Sequence, residues 1–238
     1  MVKSKLDVVQ WGADRLRIGP WRGDPRIAFI APVAGRPTAV ESIQRGLRVL
    51  AAKGYATALT SALTVAEQEP FAGVGFTVHE RLHLLRHDLA HLPAAVPHRL
   101  RRALPFDHRH VLELDGRAFD SFWRFDRDGL DDARRATPSS RFRVADDDGV
   151  VGYAITGRAG EVGYLQRLAV DPDRQHAGIG TALVVDGLWW AARRGARSVL
   201  VNTQEQNTGA LALYEHLGFV REPDGLAVLE LDLAGLEA

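Results

Sequence analysis

Apolar positions along the chain switch period at regular intervals, and the switches predict most of its elements. In the second half, short runs suited to strands cover 141–145, 150–156, 162–170, 197–202 and 226–232. Stretches with helical spacing lie over 129–136, 179–194 and 208–217, and the apolar run 111–119 opens this half. The punctuation agrees with this division. Asp146-Asp147-Asp148-Gly149 is a turn signal between two strand runs, which makes 141–156 a hairpin. Arg193 and Arg194 fall in the last turn of one helix, and Gly195 stands where a left-handed residue closes it. Asn207 is a candidate N-cap for 208–217, with Gly218 beyond the far end. Strands and helices mixed in this order predict an α+β domain with a central twisted sheet flanked by helices.

The first 92 residues repeat the later part of this pattern in worn form. Residues 26–31 take the place of a strand, 39–53 of a helix closed by Gly54, and 56–60 of the next strand. Pro70-Phe71-Ala72-Gly73-Val74-Gly75-Phe76 then matches Leu213-Tyr214-Glu215-His216-Leu217-Gly218-Phe219, and the run to Leu89 matches the run to Leu233. Pro93, Pro97 and Pro105 frame a segment with Arg99, Arg101 and Arg102 that has the composition of a linker. The predicted organisation is a partial domain over 1–92, a linker over 93–107 and a complete domain over 108–238.

Composition narrows the class without naming it. Hydrophobic content of 46% with 25% charged residues suits a globular protein. No stretch approaches the ~20 apolar residues of a membrane span, and residues 1–7 lack the apolar core of a signal peptide. A cytoplasmic protein is the expectation, as a monomer or homodimer. The chain has no cysteine, so disulfides, thiolate metal sites and cysteine nucleophiles are excluded. A formal net charge of zero supplies no field toward nucleic acid or an acidic membrane, and neither is an expected partner.

Chemistry concentrates at Gln175-His176-Ala177-Gly178-Ile179-Gly180-Thr181, between the strand 162–170 and the helix 179–194. The first N–H groups of a helix are unpaired and carry partial positive charge, and glycine lets an anion approach the backbone. A phosphate-bearing ligand is therefore expected here. A Walker A loop needs Gly-Lys-Ser/Thr, and no lysine follows Gly178; a dinucleotide fingerprint needs a third glycine where Leu183 stands.

This loop, Asn207 and the Leu213–Phe219 ending, in that order, resemble the coenzyme-binding core of the GCN5-related N-acetyltransferase (GNAT) family. The resemblance covers about 163 to 222 and extends more weakly over 108 to 233. It implies the GNAT acyltransferase fold, preceded by a GNAT-like partial half that cannot bind the coenzyme. It implies acetyl-CoA as co-substrate, without a metal, and a small-molecule or peptide amine as acceptor. The pyrophosphate would sit on Gln175, His176, Ala177, Gly178, Ile179, Gly180 and Thr181. The pantetheine arm would pair with backbone of Leu168 and Val170 and touch Asn207. Tyr214 would be the general acid, and Trp123, Arg124 and Asp126 would face the acceptor, with Phe119 and Phe122 seating the first helix. Two departures stand out. Ala177 replaces the Arg or Lys that many members carry, leaving Arg174 or His176 to supply charge, and Tyr164 stands where several relatives have a glutamate base. Glu205 or a water chain would then take the amine proton, Glu161 being a further carboxylate upstream. A catalytically silent acyl-CoA-binding sensor or scaffold is the alternative these departures leave open.

His79-Glu80-Arg81-Leu82-His83 matches the zinc-protease pattern His-Glu-x-x-His. The repeat places 78–89 on a strand, where residues four apart are about 13 Å apart and cannot share one ion.

Overall fold

The predicted alternation is present in the first half as β1 (Asp7–Trp11), β2 (Asp14–Trp21), β3 (Asp24–Pro32), α1 (Val40–Ala52), β4 (Thr57–Thr60), α2 (Val65–Ala72) and β5 (Thr77–His87). It continues with β6 (Leu100–Arg102), α3 (His108–Ala118), α4 (Arg127–Arg135), β7 (Ser139–Asp146), β8 (Val150–Ala159) and β9 (Val162–Val170). The chain ends with α5 (Ile179–Arg193), β10 (Ser198–Gln204), α6 (Thr208–His216), β11 (Val220–Arg221) and β12 (Leu226–Asp232). These assignments come from a computed structural model that describes residues 6–22, 24–33 and 38–234. The first copy's counterpart of the phosphate loop, 34–37, lies outside the described residues, as does most of the segment read for a signal peptide. Among the described residues no helix is long and apolar enough to cross a membrane.

The chain divides into two compact units, one holding the residues up to His83 and from Pro223 on, the other Leu84–Glu222. This division differs from boundaries at 92 and 108. β12 belongs to the first unit because its two edges are paired there, Glu230 with Leu59 on β4 and Leu226 with Leu82 on β5. Leu229 of β12 joins Leu16, Ile30, Leu47 and Leu50 in one core. The expected linker contains β6, which pairs antiparallel with β7, Arg101 opposite Val144. Arg101 anchors it with a fork onto Asp107 at 2.7 and 2.8 Å and a bond to Asp146 at 2.6 Å. Prolines and arginines imitate a linker, and what distinguishes this one from it is pairing with distant groups, β7 and Asp146.

In the first unit the sheet order is β1-β2-β3-β4-β12-β5. β3 and β4 are parallel, so the chain must cross over between them, and α1 is the crossover. Ile43, Gly46, Leu47 and Leu50 make its buried stripe. β1 and β2 were not among the predicted elements. They form a hairpin in which Leu16 and Ile18 alternate with exposed residues. The repeat is visible in how helices end. Gly54 donates to Ala51 O and Tyr55 to Leu50 O, as Gly195 donates to Ala192 O and Ala196 to Ala191 O. Both glycines have left-handed φ, 84° and 82°. Likewise Phe76 N–H reaches Phe71 O where Phe219 N–H reaches Tyr214 O.

In the second unit the order is β5-β10-β9-β8-β7-β6, β5 contributing its last residues, which also pair with β11. Residues of β8 alternate between two cores. Ala154 joins α5 residues such as Leu183 and Leu188, while Tyr153 and Ile155 join Val111 and Leu114 of α3. The sheet is thus covered by α5 on one face and by α3 and α4 on the other. His79 and His83 lie on strand β5 as predicted, and His79 Nδ1 meets Glu230 at 2.9 Å.

A chain ending at Glu222 should lose amide hydrogen-exchange protection in β4, the neighbour of β12, while β9 stays protected. Loss in β9 with β4 unchanged would refute the assignment of β12 to the first unit.

Candidate functional site

The site is built around the far end of β9. Its pairing with β10 is parallel and covers only Ser198–Leu200 against Val162–Tyr164. Both strands run on, β9 to Val170 and β10 to Gln204, without pairing further with each other. The other edge of β9 stays paired to β8 up to Val170 opposite Gly152. From Leu165 on, β9 therefore presents an open backbone edge toward β10, where an extended ligand can add as a strand does. Leu168 and Val170 lie on this stretch, while their side chains pack into the α5 core. Backbone and side chain can serve separate purposes here.

β9 leads into the loop through Asp171, whose carboxylate accepts from Asp173 N–H at 3.2 Å and pairs with Arg117 of α3. Gln175, His176 and Ala177 follow, all exposed. His176 and Gly178 both take left-handed φ, 61° and 79°, and Gly178 is the N-cap of α5 without a side-chain cap bond. The first intrahelical bond is Ala182 N–H to Gly178 O. The N–H groups of Ile179, Gly180 and Thr181 are therefore left without intrahelical partners at the positive end of a 15-residue helix. Ala177 brings no charge, and Arg174 is engaged by Asp147. His98, which the sequence reading passed over, lies against the loop instead. Its Nε2 is 3.2 Å from where a Cβ on Gly178 would stand. The chain carrying it is held on α5 by Trp189 Nε1, which donates to Pro93 O at 3.0 Å.

α6 closes the site from the β10 side. Asn207 is its N-cap, accepting from Ala210 N–H at 3.1 Å. Leu213 packs over Gly180 in the first turn of α5. Tyr214 is 5 % exposed, and its ring lies 5.6 Å from that of Phe219. Burial alone pushes its phenol well above the usual range, so it holds its proton throughout the neutral and mildly alkaline range. Glu205 stands in an exposed turn after β10, and Glu161 is exposed and paired with Arg197 at 3.1 Å. Tyr164 occupies β9 in place of a carboxylate.

Trp123, Arg124 and Asp126 fall in the segment joining α3 to α4. Asp126 is the N-cap of α4, accepting from Gly129 N–H at 2.7 Å. Arg124 Nε donates to Phe119 O at 3.1 Å, and Trp123 stacks edge-on with Phe122 at 5.0 Å. Asp126 thus has a structural employment that the sequence reading had not assigned to it. Arg167 and Asp115, also passed over, join this segment to β9. Arg167 was visible as a charge inside an apolar strand, which demands a buried partner; nothing local pointed to Asp115 as that partner.

Residues 108–219 match the acetyltransferase (GNAT) family. The chain is 33% identical over 132 residues to a mycothiol acetyltransferase of Amycolatopsis mediterranei (strain U-32), covering 48% of this chain and 43% of the relative. It is 32% identical over 170 residues to one from Thermobispora bispora, covering 63% and 57%. The chain thus spans about half the length of these curated relatives. Among solved structures, a tandem GNAT protein from the clavulanic acid biosynthesis pathway superposes with a TM-score of 0.67 over 95% of this chain and 82% of that one, at 16% identity. A GCN5-related N-acetyltransferase from Sphaerobacter thermophilus gives 0.62 over 93% and 77%, at 18% identity. These likenesses show an α+β GNAT fold, and the tandem neighbour supports a two-half arrangement.

Asn207→Ala should lower stability by about 1 kcal/mol through the lost cap, read as a fall in Tm of roughly 2–4 °C. Asn207→Asp should keep most of it, since a carboxylate caps as well. Equal losses in both would deny the capping role.

Proposed function

We propose that this chain, whose residues 108–219 are a GNAT-family acetyltransferase domain, transfers an acetyl group from acetyl-CoA to a primary amine of a small molecule or peptide. The observation that carries this reading is the open edge of β9 running directly into the uncapped start of α5. An extended amide-bearing arm fits the edge and a pyrophosphate fits Gln175–Thr181. Backbone of Leu168 and Val170 pairs with the arm, with Asn207 beside it, and N–H groups on the open edge polarise the thioester carbonyl.

The amine attacks that carbonyl, the C–N bond forms, and the C–S bond breaks as the tetrahedral intermediate collapses. Tyr214 takes the second step as the proton donor to the departing thiolate; burial keeps its phenol protonated, and the same burial makes it a weaker acid than a free phenol. An amine of ordinary pKa is only about 0.1% neutral at pH 7 and must shed a proton first. Glu205 and a water chain are the two routes for it. The acceptor lies on the side of Trp123, Arg124 and Asp126.

One coenzyme binds per chain. In the first unit the start of α1 is already met by a carboxylate. Asp14 Oδ2 accepts from Ala39 N–H at 3.1 Å and from Ser42 Oγ at 2.8 Å. A carboxylate already standing at that helix end repels phosphate. The counterpart of Tyr214 there is Phe71, which has no hydroxyl.

Calorimetry should show one acetyl-CoA bound per chain, lost in Gly178→Glu, which forces a side chain and a negative charge into a left-handed position beside His98. Tyr214→Phe should lower turnover by about a hundredfold with acetyl-CoA affinity within about twofold. The panel of amines begins with those related to mycothiol, the name the relatives carry. Binding without turnover of any amine would favour the silent acyl-CoA sensor or scaffold, and absence of binding would overturn both readings.

A further inference from the structure

The segment joining α3 to α4 is fastened by a buried charge that the acetyl-transfer reading leaves unused. The side chain of Arg167 on β9 is 9% exposed and that of Asp115 on α3 is 0% exposed. They meet as a fork, Nε to Oδ2 and Nη2 to Oδ1, both at 2.8 Å. The guanidinium carbon lies 3.4 Å from the ring centroid of Phe119 and 4.0 Å from that of Phe125. Nη2 also donates to Trp123 O at 2.8 Å. Asp115 Oδ1 accepts from Phe125 N–H at 2.7 Å, and its other oxygen takes the Tyr153 hydroxyl proton in hydrogen bonding. Burial raises the Tyr153 phenol, which keeps it a donor. One ion pair thus grips Phe119, Trp123 and Phe125 and ties them to the strand that carries the open edge.

A local irregularity delivers Arg167 to that place. In the pairing of β8 with β9, Ile155 faces Arg167 and Thr156 faces Leu165, so Gln166 is an extra residue. Leu165 packs in the α5 core, and strict alternation would send residue 167 to the same side. The extra residue reverses the faces, so Arg167 and Ala169 turn toward α3 while Leu168 and Val170 stay with α5. The bulge needs room, and Gly157 leaves it: a Cβ there would stand 2.6 Å from Gln166 Nε2. An apolar pair of similar volume could fill the site at a smaller desolvation cost. What the ion pair adds is direction, since a planar fork between two rings admits one orientation.

We propose that Arg167 is a positioning residue for the amine acceptor: with Asp115 it holds residues 119–126 at a fixed distance and angle from the thioester on β9. The inference rests on the acetyl-transfer reading, which puts the acceptor on that segment. Acceptor geometry and coenzyme binding are then separable, because the network touches neither the loop 175–181 nor α6.

The test uses the full chain and Arg167→Lys, which keeps the charge and loses the fork and the planar stacking. Four quantities are read: hydrogen exchange by segment, acetyl-CoA affinity, and KM and kcat for the fastest amine of the panel. Exchange in 119–126 and the amine KM should each rise about tenfold, and kcat/KM for the amine should fall with them, since a reactant misplaced by about 1 Å can lose up to about a hundredfold in rate. Acetyl-CoA affinity and exchange in 175–181 should stay within about twofold. Phe119→Leu, which removes one ring and keeps the ion pair, should shift the same two quantities in the same direction by less. It decides the matter if Arg167→Lys does not fold. Unchanged exchange and KM in a folded variant would overturn the proposal, and so would a parallel loss of acetyl-CoA affinity with faster exchange throughout 108–219. Failure of the unsubstituted chain to bind acetyl-CoA would instead overturn the acetyl-transfer reading on which this rests.

Discussion

The second unit depends on β9 meeting three demands at once. One edge must stay paired to β8, the other must be left open beyond Tyr164, and the two faces must fill unlike cores. A regular strand cannot do this with a charged residue at 167, because alternation would drive a guanidinium into the apolar layer under α5. The extra residue Gln166 resolves the conflict by turning the strand over at one point. Leu168 and Val170 then seal the α5 core while Arg167 reaches Asp115. The same strand can offer its backbone to a ligand because its side chains are committed elsewhere.

The two units show how a shared pattern diverges through a few groups. Both close their helices with the same pair of backbone bonds, and both set a ring of the last helix against one just beyond it, Phe71 against Phe76 and Tyr214 against Phe219. The difference lies at the helix starts. At α5 three N–H groups face outward with no acceptor of their own, whereas at α1 Asp14 supplies the anion from within the chain. A site for phosphate and a helix start already met by an internal anion are the same architecture without and with that carboxylate.

Elements held by local signals were legible in the sequence. The strand 162–170 is β9 to the residue, and the helix predicted over 179–194 ends within one residue of α5. Asn207 caps α6 and Gly195 closes α5 as their types and spacing suggest. What escaped depends on distant partners. β6 is held by Arg101 on Asp146, and β12 takes its place from β4 and β5, more than 130 residues earlier in the chain. The hairpin of β1 and β2 is short, and no prediction covered it. Within the site, the loop and Tyr214 carried recognisable spacing, while Asp115 and His98 are ordinary residues of their segments until the fold brings them to Arg167 and Gly178.

The most direct measurement of the central claim is a crystal structure of the full chain grown with acetyl-CoA. The account predicts one ligand, its arm along the open edge of β9 past Tyr164, its pyrophosphate on the N–H groups of 179–181, and none at α1. Coenzyme seated on α1, or an empty β9 edge with the ligand bound elsewhere, would contradict it.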